Sequence, residues 1–164
     1  TDKEINISAA INTSGSIMNI YDGNIKGSIN GDLINNSGSG VLNIYGGKII
    51  NNYTYDGRYA VSNTSTGTIN IGKKGDVDEQ NNLKVSKENP EIKAMSNYAL
   101  YISNGTVNFY DGIIKGKTGI YGNIQEIETG YEIITEEASI TDDGLEHIYL
   151  DRLPLVKNEN TEKE

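Results

Sequence analysis

Asn-Gly-Thr-Val-Asn-Phe-Tyr-Asp-Gly-Ile-Ile-Lys-Gly, residues 104–116, decides how this chain is read, because it is the last clear copy of a motif that occurs about four times. The first copy is Ser-Gly-Ser-Ile-Met-Asn-Ile-Tyr-Asp-Gly-Asn-Ile-Lys-Gly (14–27). The second is Ser-Gly-Val-Leu-Asn-Ile-Tyr-Gly-Gly-Lys-Ile-Ile-Asn-Asn (39–52), and an eroded third is Thr-Gly-Thr-Ile-Asn-Ile-Gly-Lys-Lys-Gly (66–75). The shared asparagines, Asn19, Asn43, Asn70 and Asn108, stand 24, 27 and 38 residues apart. A step of that size is one supersecondary unit of a repeat architecture.

Apolar residues alternate around each asparagine: Met18/Ile20, Leu42/Ile44, Ile69/Ile71 and Val107/Phe109. Period two means a strand with one buried face. The intervening residues, Asn19/Tyr21, Asn43/Tyr45, Asn70/Gly72 and Asn108/Tyr110, then face the other way. Each copy carries two further apolar pulses. One precedes the motif (Ala10-Ile11, Leu33-Ile34, Ala60-Val61, Ala99-Leu100). One follows it (Ile25, Ile49-Ile50, Ile113-Ile114, with Val77 expected in the third copy). Glycines fall in the gaps, where tight corners need them. Three short strands and their corners make one turn of a three-sided coil. A single coil cannot bury its own apolar side, so neighbouring coils must stack. The expectation is an all-β, right-handed parallel β-helix of about four to five coils, closed by a C-terminal β-hairpin cap.

Residues 1–128 are expected to form the repeat domain. Ile5-Asn6-Ile7 would be a partial strand leading into it, and 52–59 a loop with an Asp-Gly turn. Residues 73–97, charged and carrying Pro90, account for the long third step and are expected as an insertion extruded at one corner. Residues 129–156 read as a strand, a turn at Asp143-Gly144 and a returning strand through Ile148-Tyr149-Leu150. Residues 157–164 read as a charged linker. An exposed solenoid end tends to associate, so further sequence before Thr1, or a removed leader, is expected.

Net charge is −9 and cysteine is absent. An acidic chain is a poor partner for nucleic acid or an anionic membrane, both of which select clustered Lys and Arg. No apolar run approaches the ~18–20 residues of a membrane span. Tyr outnumbers Phe eleven to one and Trp is missing. Tyr tolerates a wet face, which suits exposed ladders.

The sharpest candidate site is the Asn–Tyr face: Asn19, Tyr21, Asn43, Tyr45, Asn70, Asn108 and Tyr110. Aromatic rings pack on the apolar faces of sugars and amides take hydroxyls. The plainer reading is structural, since such ladders stabilise stacked strands by themselves. Gly72 interrupts the tyrosine column. Asp76, Asp78, Gln80 and Asn82 supply alternating oxygens of the kind calcium takes, but Asn81 and Lys87 stand where an EF-hand loop needs Gly and Glu. His147 is the only histidine and Asp142-Asp143 lies beside it, both in the cap. Catalysis needs convergent groups, and no nucleophile–base order or metal-ligand cluster stands out.

The repeat Gly-x-hydrophobic-Asn-Ile-Tyr-x-Gly-x-Ile-x resembles the degenerate right-handed β-helix repeats of large bacterial surface proteins, especially adhesin-like proteins of Gram-positive gut bacteria. The resemblance covers about residues 10–122, and 130–153 looks like the strand pair that follows such repeats. It implies an extracellular stalk or binding module without catalysis, flanked by neighbouring modules and partnered by a glycan or a host or cell-surface protein. The fold is also similar to that of pectate lyases and polygalacturonases, which makes a polysaccharide lyase or hydrolase the alternative. Their calcium-aspartate cluster with a catalytic Arg, and their Asn-Thr-Asp, Asp-Asp and Arg-Ile-Lys motifs, are not reproduced: Asp142-Asp143 matches only the dipeptide. Convergence of Asp22, Asp56, Asp76 and Asp111 in one cleft would favour that alternative.

Overall fold

The apolar pulses become strands, and the strands feed three sheets in rotation. The computed structural model describes residues 9–155. The expected strand at residues 5–7 and the tail 157–164 lie outside them. In chain order come β1 (Ala9–Thr13), β2 (Ile17–Ile20) and β3 (Asn24–Gly27), then β4 (Asp32–Asn36), β5 (Val41–Ile44) and β6 (Lys48–Asn51). Next are β7 (Val61–Asn63), β8 (Thr68–Ile71) and β9 (Glu91–Ala94), and then β10 (Tyr98–Ile102), β11 (Thr106–Phe109) and β12 (Ile113–Gly116). The chain closes with β13 (Gly119–Tyr121), β14 (Glu126–Ile127), β15 (Tyr131–Glu136) and β16 (Glu146–Arg152). No helix occurs among the described residues.

One sheet has the order β1-β4-β7-β10-β13, the second β2-β5-β8-β11-β14 and the third β3-β6-β9-β12-β16-β15. Every pairing is parallel except those of β16, which runs antiparallel to both β12 and β15. The hairpin β15–β16 thus lies along the edge of β12. Stacked parallel sheets without helices are compatible with a β-solenoid.

The register follows the motif. Asn19, Asn43, Asn70 and Asn108 pair in sequence across β2, β5, β8 and β11. Their apolar neighbours point inward: Leu42, Ile44, Ile69, Ile71, Val107 and Phe109 are fully buried. The preceding pulse contributes Ile34, Val61 and Leu100, in register with one another. The following pulse contributes Ile49, Ile92 and Ile114. Each such side chain stabilises by about 1.5–3 kcal/mol through burial. Packing thins toward the first strands, where Met18 and Ile25 are only half-buried.

Two expectations shift. The third copy's closing pulse is Ile92 on β9, and Val77 is exposed in an isolated bridge with Leu83. Consequently the excursion from the column runs over 72–90, and Glu91–Ala94, expected within the 73–97 insertion, belongs to the third sheet. The reason is physical: after Gly72 the chain leaves the column and returns only at Glu91, so the first apolar residue met along the sequence is not the one that reaches the core.

Candidate functional site

The amides of the predicted face are spent on one another. Asn43 Nδ2 donates to Asn19 Oδ1, Asn70 Nδ2 to Asn43 Oδ1 and Asn108 Nδ2 to Asn70 Oδ1, each at 2.9 Å. That is a continuous amide ladder along the second sheet, the structural role such stacks provide. The tyrosines divide. Tyr21 and Tyr45 stack with ring centroids 5.3 Å apart, and Tyr21 is 71% exposed. Tyr110 is 6% exposed and its hydroxyl donates to Glu126 Oε2 at 3.0 Å. Burial, then Glu126, push that phenol up to about 12. Tyr110 is therefore packed away from the Tyr21–Tyr45 pair. Gly72 stands between them in the register, at φ +79, where an added Cβ would lie 2.5 Å from Asp111 Cβ.

The excursion that departs at Gly72 folds back over this gap. Its turn is held by Asp78 N donating to Asn82 O (2.8 Å) and Lys84 N to Asp76 O (2.8 Å). Its return is pinned to the column at two points. Ser86 N donates to the Asp111 carboxylate, and Gly47 N donates to Asn89 Oδ1 at 2.8 Å. Between excursion and column lies a cleft of about 510 Å³, lined by Tyr21, Tyr45, Asp22, Asp76, Asp111 and Lys84 among others. Lys73 joins the tyrosine side. Asp22 and Asn89 also line a neighbouring groove of about 460 Å³ that continues past Lys48, Glu91 and Lys115 on the third sheet.

The carboxylates here differ in how far the protein already answers them. Asp22 Oδ1 accepts from Gly23 N at 2.7 Å, closing its own turn. Asp76 is 3.4 Å from Lys84 Nζ, both exposed enough for solvent to screen the pair. Asp111 is desolvated between the excursion and the column. Burial pushes it up to about 6, against the opposing hydrogen bonds from Ser86 and Gly112. Asp78 turns into its loop: Oδ1 accepts from Gln80 N and Asn82 N, both at 2.9 Å, and these bonds hold its carboxyl below the usual range. Of the calcium candidates, then, Asp76 is ion-paired and Asp78 is bound by its loop. Asn82 turns its Nδ2 donor, rather than its oxygen, toward Asp78 at 3.4 Å. Gln80 and Asn82 side chains are otherwise exposed.

Three of the four aspartates considered for a catalytic cleft, Asp22, Asp76 and Asp111, line this one. Asp56 sits in the exposed 52–58 loop and does not join them. His147 belongs to the hairpin: its Nε2 lies 2.8 and 2.9 Å from the two oxygens of Asp143, tying the 137–145 loop to β16. Asp142 completes a cluster whose ligand atoms lie within 4.8 Å of one another.

Sequence reasoning missed two arrays. At the corner after the first sheet, Thr13 Oγ1 donates to Asn36 Oδ1 (2.5 Å), Asn36 Nδ2 to Asn63 Oδ1 (3.1 Å) and Asn63 Nδ2 to Gly67 O (3.0 Å), all buried. The spacing Asn-x-x-x-Gly at Asn36–Gly40 and Asn63–Gly67 was the available signal. The second is a tyrosine column on the outside of the first sheet. Tyr59 and Tyr101 stack at 4.3 Å, and Tyr101 and Tyr121 at 4.7 Å, with Tyr98 edge-on to Tyr121 at 5.4 Å. These residues flank the first apolar pulse of the later copies.

Compared with protein-family models, with curated proteins and with solved structures, the chain matches none.

Proposed function

We propose that this chain is a right-handed, three-sided β-solenoid module of four to five coils that binds glycans at the cleft beneath the 72–90 excursion. The single observation that carries the reading is the stacked pair of exposed Tyr21 and half-buried Tyr45, set beside three aspartates in one cleft of about 510 Å³. Aromatic rings supply an apolar platform, and carboxylates accept from sugar hydroxyls. The groove past Asp22 and Asn89 would take the next residue of an oligosaccharide. The repeat's resemblance to bacterial adhesin-like proteins supports an extracellular, surface-attached setting and a non-catalytic role. The test is a broad polysaccharide and mucin-glycan array, probed with the native chain and with Tyr45→Ala, with calcium and with chelator. Specific binding that Tyr45→Ala abolishes with only a small shift of the melt supports the proposal. Silence across the array leaves a stalk.

A second reading, glycan cleavage, is favoured by the convergence of Asp22, Asp76 and Asp111, one of them held near 6 and so able to donate a proton at mildly acidic pH. Prolonged incubation with bound glycans, followed by assay for new reducing ends and for unsaturated products, separates the two. Products lost in Asp111→Asn would establish cleavage.

A further inference from the structure

We infer that two copies of this chain associate through their first strands, β1, β2 and β3, about a two-fold axis that passes through Asn19. The inference stands independently of glycan binding. Each sheet begins with one of these strands, and among the described residues each has a neighbour on one side only: β4, β5 and β6. An open edge presents a row of N–H and C=O groups to any strand that fits it. The core is open at the same end. Ile11, Met18 and Ile25 are half-buried, whereas Ile34, Leu42 and Ile49, in register with them one coil on, are fully buried. On the outer face, at the two ends of β2, Ile17 is 72% and Tyr21 71% exposed.

What fits this edge is decided by the order of inward and outward residues. The inward places are Ile11 and Thr13 on β1, Met18 and Ile20 on β2, and Ile25 and Gly27 on β3. That order reads the same in both directions about Asn19: 11 answers 27, 13 answers 25 and 18 answers 20. Residues directly opposite in antiparallel strands share a face of the sheet. A second copy turned about Asn19 therefore sets β2 antiparallel to β2 and β1 antiparallel to β3, with every inward place meeting an inward place. Ile17 of one copy then covers Tyr21 of the other, on both sides of the axis. The face of Tyr21 so covered is the one turned from Tyr45, and the stacked pair that lines the cleft is retained. Asn19 Oδ1 takes Asn43 Nδ2 at 2.9 Å. A carboxamide oxygen has a second lone pair, so the two Asn19 side chains carry the amide ladder across the axis. Charge agrees with this choice of face. The chain has a net charge of −9, yet residues 9–28 hold only Asp22 and Lys26 and are neutral. The register sets these two against Ser16 and Asn12, so no like charges meet. The other end of the column offers no equivalent. There the hairpin β15–β16 runs antiparallel along β12, and Glu126, Glu132 and Glu136 stand on the last strands. A head-to-tail stack would find a matching edge on two sheets only, whereas the two-fold pair closes on itself.

The test uses the full chain. Sedimentation velocity over a wide concentration range should show monomer passing to dimer and no further. Ile17→Lys, at an exposed place where a charge blunts a strand edge, should raise the dissociation constant about tenfold or more without altering the fold by circular dichroism. The register is read by cross-linking, because the chain has no cysteine of its own. Opposite residues lie about 4.5–5.5 Å apart between Cα atoms, within disulfide reach. Asn19→Cys should therefore oxidise to a covalent dimer. Ile17→Cys alone and Tyr21→Cys alone place their thiols more than about 13 Å from their own copies and should stay monomeric on a denaturing gel. An equimolar mixture of those two variants should yield the mixed disulfide dimer, a check that leaves Asn19 in place. A monomer at every concentration, with no cross-linking, overturns the inference and leaves this edge to another part of the chain. Growth beyond the dimer overturns it in favour of head-to-tail stacking. A dimer in which Ile17→Cys cross-links to itself as readily as Asn19→Cys, or which Ile17→Lys leaves intact, overturns the two-fold through Asn19.

Discussion

Two groups of stacked tyrosines lie on different sides of this column, and they differ in what the next strand supplies. Tyr59, Tyr101 and Tyr121 stack in succession at 4.3 and 4.7 Å, Tyr101 and Tyr121 in register and Tyr59 reaching over from the turn before β7, where Ser62 holds the register place, so the middle ring is stacked on two neighbours. Tyr21 and Tyr45 form a pair at 5.3 Å, and the following place in the register is Gly72. There the chain leaves the column, and the pair lines a cleft. The same residue type is therefore packing where a further ring reaches the stack, in register or from a neighbouring turn, and a candidate ligand surface where none does. A repeat protein can make a site by omission: one missing ring, and one excursion leaving from that spot.

The largest expected effect comes from closing the gap. Gly72→Ala places a methyl group 2.5 Å from Asp111 Cβ on a backbone at φ +79. The left-handed conformation costs about 1–2 kcal/mol with a side chain present, and overpacking adds about 1–3. Urea denaturation should show a loss of about 3 kcal/mol, with binding lost in parallel. A loss under about 1 kcal/mol would break the claim that the gap is enforced sterically. The next effect is on the unbroken stack. Tyr101→Ala removes a ring packed on two sides and should destabilise by about 2–3 kcal/mol. Glycan binding should be untouched, since the residue lies on another sheet. Altered binding in this variant would merge the two groups and remove the contrast.

What the sequence made legible was whatever repeats. Asn19, Asn43, Asn70 and Asn108 sit in register because period two fixes which face each strand buries, and a slip by one would turn every apolar residue outward. The cleft was only half legible. Tyr21 and Tyr45 are in the motif, but their partner surface is the 72–90 excursion, whose path no periodicity encodes; Asp76 and Asp111 are 35 residues apart and meet only because Ser86 N binds Asp111. Tyr110 carries the motif's sequence, yet its hydroxyl donates to the partly exposed Glu126, and nothing local announces that partner on β14. Tyr59, Tyr98, Tyr101 and Tyr121 escaped because they flank the first pulse at slightly different offsets, and only the register aligns Tyr101 with Tyr121.

A smaller effect tests how the cleft's deepest carboxylate is held. Asp111 is raised from 3.8 to about 6, chiefly by burial, with Asp76 adding to the rise and Lys84 opposing it. The folded chain then holds that proton more tightly than the unfolded chain. Stability contributed by Asp111 is present below about pH 4 and is lost as pH rises through about 6. Partial exposure and screening reduce the swing to about 1–2 kcal/mol. Asp111→Asn keeps Oδ1 for Ser86 N and cannot ionise, so the native chain should lose stability relative to this variant as pH rises from about 4 to 7. A difference between the two profiles that stays constant, or that runs the other way, over that window would contradict the burial of this group.

The smallest expected change in stability belongs to Tyr21→Ala, and it bears most directly on the comparison. Tyr21 is 71% exposed and stacks on one neighbour only. Removing it should cost about 0.5–1 kcal/mol, roughly one aromatic pair, well below the loss expected for Tyr101→Ala. If the ring is part of a binding platform, affinity for the glycan identified on the array should fall about tenfold or more, as for other aromatic anchors of a binding surface when truncated. Thermal melts and titrations on the same preparation give both numbers. A large stability loss with unchanged affinity would make Tyr21–Tyr45 a short version of the Tyr59–Tyr101–Tyr121 stack. A small stability loss with a large affinity loss would show that interrupting a ladder frees its end rings for recognition.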